Sequence, residues 1–158
     1  MSNNKSENKK DIFIDNNIAK NFCNPLDPEY KILIKWLMYD STAYLVVSQK
    51  LLVEYVGSTG QSPSLTNITV IIDRLTRDGR IIKISNEEIK EFKRQNFTSK
   101  IVKKFTCNKE DREHIPVVLL SDRKYVLTLD QKFTFDLLNF PDFSVLVCAK
   151  PQDLPYDK

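Results

Sequence analysis

The stretch DIFIDNNI, residues 11–18, decides how the whole chain is read. Ile12, Phe13 and Ile14 have the apolar, β-branched and aromatic character of a short buried strand. Asp15, Asn16 and Asn17 are side chains that leave a strand readily for a turn. The first strand therefore ends on a carboxylate. The same pattern returns late in the chain, where KYVLTLD (residues 124–130) reads as a strand ending in Asp130.

Working outward, Asp27-Pro28-Glu29 has the form of a helix start, with Asp as cap and Pro in the first turn, and YKILIKWLMYD continues it with one broad apolar face. Residues 44–47 (YLVV) form a second strand, after which Ser48 caps a helix QKLLVEYVG closed at Gly57. SPSLTNITVIIDRLTRDGR supplies a further helix stopped at Gly79, and residues 81–84 a third strand. Residues 86–105 read as one or two charged helices. Residues 109–120 read as a helix that either kinks at Pro116 or starts there, because Pro116 has no N–H for the carbonyl of Arg112. QKFTFDLLNF and SVLVCA add a short helix and a fifth strand. Short apolar strands alternating with helices predict a three-layer α/β/α domain around a central, mainly parallel five-stranded sheet. Its bounds are 11–150, after a disordered polar lead over 1–10 and before a polar tail over 151–158.

Composition narrows the chemistry. The 158 residues suffice for one core, and charged residues interrupt every apolar run before the roughly 20 residues a membrane span needs, so a cytoplasmic protein with no membrane contact is expected. Three widely spaced cysteines, Cys23, Cys107 and Cys148, fit neither a disulfide framework nor a zinc motif and are expected to be reduced thiols. One histidine, His114, cannot furnish a His-rich metal site and is expected to be structural. The net charge of +3 is compatible with polyanions but commonplace.

Four acids stand out because open α/β sheets place their sites outside the carboxyl ends of the strands. Asp15 and Asp130 lie at such ends, and Glu54 and Asp111 lie near the starts of helices. Each has a modest alternative role: Asp15 as a turn cap, Glu54 as a surface residue, Asp111 as the third residue of a helix capped by Asn108, and Asp130 as a helix cap. Clustered carboxylates repel one another unless a cation joins them, and Mg²⁺ or Mn²⁺ suits an all-oxygen donor set.

IFIDNNI, SQKLLVEYV, NKEDREHIPVVLLS and KYVLTLDQKF, carrying Asp15, Glu54, Asp111 and Asp130 in that order, resemble the four acidic motifs of PIN domains over residues 11–148. The resemblance implies a metal-dependent endoribonuclease in which these four acids bind Mg²⁺ or Mn²⁺ and act in catalysis, with Asn16 and Thr128 supporting them. It also implies RNA as substrate and, for a toxin of the VapC type, a small antitoxin protein and a homodimer as partners. Lys132 stands where family members often carry a further acid, which implies one firmly held ion.

The stretch around Lys93, Arg94, Lys100, Lys103 and Lys104, interleaved with Phe92, Phe97 and Phe105, either follows an RNA backbone or forms a solvated face over core phenylalanines. Two other classes compete: a PIN-like binding module without catalysis, and a phospho-acceptor receiver domain. The receiver reading fails at the third strand, since RIIKIS ends without an acceptor aspartate.

Overall fold

The structure is a computed structural model and describes residues 9–59 and 62–156. Residues 1–8 of the polar lead and the last two of the tail lie outside the described residues. The fold is α/β: a five-stranded, all-parallel sheet flanked by helices.

Strand β1 runs Lys10–Ile14, β2 Ala43–Val47, β3 Ile81–Lys83, β4 Tyr125–Leu127 and β5 Leu146–Cys148, in the order β3-β2-β1-β4-β5. Parallel neighbours cannot be joined by a tight turn, so every connection carries helix. Helices α1 (Asn16–Ala19) and α2 (Pro28–Tyr39) join β1 to β2, and α3 (Gln49–Thr59) and α4 (Ile68–Arg77) join β2 to β3. Then α5 (Asn86–Asn96), α6 (Ser99–Val102), α7 (Lys109–Arg112) and α8 (Ile115–Leu120) lead to β4, and α9 (Gln131–Leu138) leads to β5.

The central strands are buried on both faces, as a parallel sheet covered by helices requires. Phe13, Ile14, Leu45, Val46, Val47, Val126 and Leu127 are fully enclosed, while Lys83 and Leu146 on the edge strands reach solvent. The expected caps form: the side chains of Asp27, Ser48 and Asn108 accept N–H groups in the first turns of α2, α3 and α7, and Asn67 and Ser85 do the same for α4 and α5. Gly79, at φ +72, lets the chain leave α4 for β3.

Three expectations change, and of the two readings at Pro116 the helix start holds. Helix α3 continues through Gly57 to Thr59, whose hydroxyl donates to the Tyr55 carbonyl (2.8 Å). Pro116 separates α7 from α8 and sits in the first turn of α8, the one place its missing N–H is harmless. Asp130 lies beyond β4 rather than at its last residue, with Thr128 and Leu129 intervening. The start of the tail is not a loose polar segment: Pro151 and Leu154 are buried, and the Tyr156 ring meets Trp36 edge-on (5.2 Å). The three cysteines are free thiols, two of them buried. Among the described residues no helix is long and apolar enough to cross a membrane.

Candidate functional site

The strand order reverses between β1 and β4, and it is at such a switch point that a doubly wound sheet opens a crevice outside its strand ends. Asp15 follows β1 and Thr128 follows β4, so the two meet across that crevice. The Thr128 hydroxyl donates to Asp15 Oδ2 (2.7 Å) and the Asn16 N–H donates to Oδ1 (2.8 Å). The Asn17 amide donates to Asp15 Oδ2 (3.4 Å) and Thr128 Oγ1 (3.3 Å), while its carbonyl oxygen accepts the Leu129 N–H (3.1 Å). From below, the buried Tyr55 hydroxyl donates to the Ile14 carbonyl, one residue before the acid. Asp15 is thus held in one orientation. Burial pushes its carboxyl above the usual range, and the bonds from Thr128 and Asn16 and the nearby His114 pull it part of the way back.

Asp130 continues the same rim. Its N–H donates to Thr128 Oγ1 (3.1 Å) and its Oδ1 accepts the Phe133 N–H (3.0 Å), so it is a helix cap as well as a rim acid. Asp111 is the third residue of α7, with its N–H on Asn108 Oδ1 (2.8 Å). Its carboxyl is raised to about 6, first by burial, then by its hydrogen bond to Asp130 and the charges of Asp130 and Asp15. Glu54, half-buried on α3, places both oxygens 3.0 Å from His114 Nε2 and lies 4.0 Å from Lys50 Nζ. His114 itself is buried, its ring tilted against Phe13 (5.6 Å).

All four acids therefore share one electrostatic neighbourhood: Glu54 raises Asp15, and Asp130 and Asp15 raise Asp111. Their capping bonds are real and do not compete with this, because a capping carboxylate still has lone pairs to offer. Among the described residues no three His, Cys, Asp or Glu side chains are drawn together tightly enough to enclose an ion. Asp15 and Glu54 are instead turned toward Thr128 and His114. The donor set nevertheless fits a hard divalent cation. It is all oxygen, and the pressure that burial, Asp130 and Asp15 put on the Asp111 carboxyl marks where positive charge is needed.

The Asp111 carboxyl carries a pH signature. Its folded value of about 6 stands above its ordinary value of 3.8, so the folded state holds this proton more tightly than the unfolded chain. The stability this confers is complete at pH below the ordinary value and is lost as pH rises through about 6. Asp111→Asn, which cannot ionise, is expected to gain stability over the parent at about pH 7.5 relative to about pH 5, measured by thermal melts in chelator. An offset that stays the same at both pH values would show that Asp111 is not under this pressure.

The supporting residues are only partly those expected. Thr128 holds Asp15 as anticipated, but Asn16 contributes its main-chain N–H while its side chain accepts from Ser58 (2.8 Å); the bridging amide belongs to Asn17. The basic stretch divides. Lys93 pairs with Glu113 (2.6 Å) and Arg94 with Glu91 (2.5 Å), whereas Lys100, Lys103 and Lys104 have no carboxylate within ion-pair distance among the described residues. Phe92 is core, and Phe97 and Phe105 pack against it.

Fold and rim together define a class, a doubly wound α/β domain with an acidic, all-oxygen site at its strand switch point. No family model matches the chain, and no curated protein matches it in sequence.

Proposed function

We propose that this protein is a PIN-like, metal-dependent endoribonuclease that hydrolyses RNA phosphodiester bonds with Asp15, Glu54, Asp111 and Asp130. The observation that carries this reading is the crowding at the switch point, where Asp111 is pushed up to about 6 by burial and by Asp130 and Asp15. Such crowding of acids is costly unless a cation joins them, and a bound divalent ion relieves it.

In this reading Asp15, Asp111 and Asp130 hold Mg²⁺ or Mn²⁺ directly, and Glu54 closes the group from α3. The bound ion supplies a Lewis acid for the phosphate and a water of lowered pKa. The remaining work belongs to the chain. Thr128 and Asn17 fix the direction of Asp15, so that its lone pairs need not reorganise when substrate arrives. His114 Nε2 grips both oxygens of Glu54, which stops that side chain from swinging into solvent. Asp111, ionised above about pH 6, would serve as a charged ligand to that ion.

Purified protein is expected to cleave RNA in Mg²⁺ or Mn²⁺ and to stop when a chelator is added, followed on a panel of defined single-stranded and hairpin RNAs. Cleavage that survives chelation, or a metal-saturated protein that cuts none of the panel, would refute the reading. The finer toxin role predicts a small co-purifying partner that silences cleavage.

A further inference from the structure

Between α6 and α9 the surface holds a groove of about 650 Å³, lined by Lys100, Ile101, Lys104, Phe105, Phe135 and Phe140. That is within the range of small-ligand pockets. The Phe105 and Phe140 rings stack at 27° in its wall, and Phe135 stands 53% exposed on the lip, an unusual position for a phenylalanine with nothing to cover it. Lys100 and Lys104 flank the groove and have no carboxylate within ion-pair distance among the described residues, unlike Lys93 and Arg94 nearby. The buried carboxylate that also lines it, Asp136, has both oxygens committed to the main-chain N–H groups of Thr106 and Cys107 (2.9 Å each). The groove is therefore aromatic within and positive at its edges, a combination that matches a nucleobase with its flanking phosphates.

Its position points the same way. Phe135 is five residues along α9 from the cap Asp130, about 7.5 Å of helix rise. Asp136 clamps the segment before α7 to α9, and that segment leads directly to Asp111. Groove and rim thus share α9 and the segment that leads from α6 to α7, which carry Asp130 and Asp111.

We propose that this groove receives an unstacked base of single-stranded RNA, with Phe135 stacking on the base and Lys100 and Lys104 holding the phosphates on either side. The proposal deepens the ribonuclease reading and rests on it. It makes the substrate single-stranded, because a paired base cannot leave the helix to enter the groove without losing its stacking. Asn139, also in the lining, donates its Nδ2 to the Phe135 carbonyl (2.8 Å) and leaves its Oδ1 for a base edge.

The test separates binding from cleavage. Equilibrium binding of a labelled single-stranded RNA and of the same sequence as a duplex is measured in chelator, and cleavage is measured separately in Mn²⁺. The parent is expected to prefer the single strand. Phe135→Ala is expected to weaken single-strand binding about 10-fold with an unchanged melting temperature. Lys100→Gln with Lys104→Gln is expected to flatten the salt dependence of binding by a slope of about 1.4. Equal binding of duplex and single strand, or Phe135→Ala binding like the parent, would overturn the groove assignment while Mn²⁺-dependent cleavage kept the nuclease reading intact. Phe135-dependent binding with no cleavage would sink the nuclease reading and retain the groove. Binding of an acidic amphipathic peptide, with no RNA bound, would assign the groove to a protein partner and overturn the proposal.

Discussion

Asp15→Asn is expected to remove RNA cleavage by on the order of 10³-fold, while the protein melts within a few degrees of the parent or slightly higher. The two halves of this expectation have separate causes. The carboxylate is the one acid locked between both central strands, through Thr128 and its own N–H on the Leu127 carbonyl (2.9 Å), so a neutral amide in its place deprives the cation of its best-oriented ligand. Stability is spared because burial already raises the Asp15 carboxyl. The folded state holds the proton of such a group more tightly than the unfolded chain does, so at neutral pH the charge opposes folding and its removal relieves that opposition. The Asn Oδ1 still accepts the Asn16 N–H, while its Nδ2, in the place of Oδ2, no longer accepts from Thr128 and Asn17 and instead can donate to the Thr128 hydroxyl oxygen. Single-turnover cleavage in Mn²⁺ and a thermal melt on the same preparation check both halves. Full activity in the variant, or an unfolded protein, would end the assignment of Asp15.

What could be read in the sequence was what local chemistry dictates. DIFIDNNI and KYVLTLD announced two strands leading toward acids, and parallel pairing around β1 then set Asp15 and Asp130 on one rim. The residues that hold those acids were not legible, since their contacts cross long stretches of chain. Asn17 reaches Thr128 across 111 positions, and His114 reaches Glu54 across 60. An Asn two residues after a strand-ending acid and a His one helical turn after another were the signals available. Neither indicates a partner until the sheet order is known.

The same limit explains the basic stretch. Charge alone could not separate Lys93 and Arg94, neutralised by Glu113 and Glu91, from Lys100 and Lys104 beside an aromatic groove. Gly57 misled for a different reason. A glycine ends a helix where a left-handed residue is needed, but here open space surrounds Gly57 and α3 runs on two residues to Thr59, whose hydroxyl donates back to the Tyr55 carbonyl.

The opposite dissociation is expected at Arg80, on the far side of the sheet from the acids. A helix leaves its last carbonyls without partners, and at the C-terminal end of α2 that of the buried Leu37 faces inward. Arg80, only 4% exposed, fills that need: Nη1 donates to the carbonyls of Leu37 (2.6 Å), Asp40 (3.0 Å) and Ala43 (2.9 Å), and Nη2 to that of Met38 (2.9 Å). Its charge is balanced by Asp78 (3.0 Å). One side chain thus ties the end of α2 to the start of β2 and the approach to β3. Arg80→Ala removes these four bonds and empties the space the side chain filled, although Met38 keeps the Arg74 Nε–H (3.0 Å) and Asp40 the Ala43 N–H (3.1 Å), and is expected to cost about 2–4 kcal/mol, or roughly 10 °C in melting temperature. Arg80→Lys recovers little, because one ammonium cannot span four carbonyls from two nitrogens. Activity per folded molecule at low temperature should remain near the parent's, since no atom of this cluster touches Asp15, Glu54, Asp111 or Asp130. A melt unchanged by Arg80→Ala would refute the capping role. A loss of cleavage in the fully folded variant would mean that the two ends of the sheet are coupled more tightly than their separation implies.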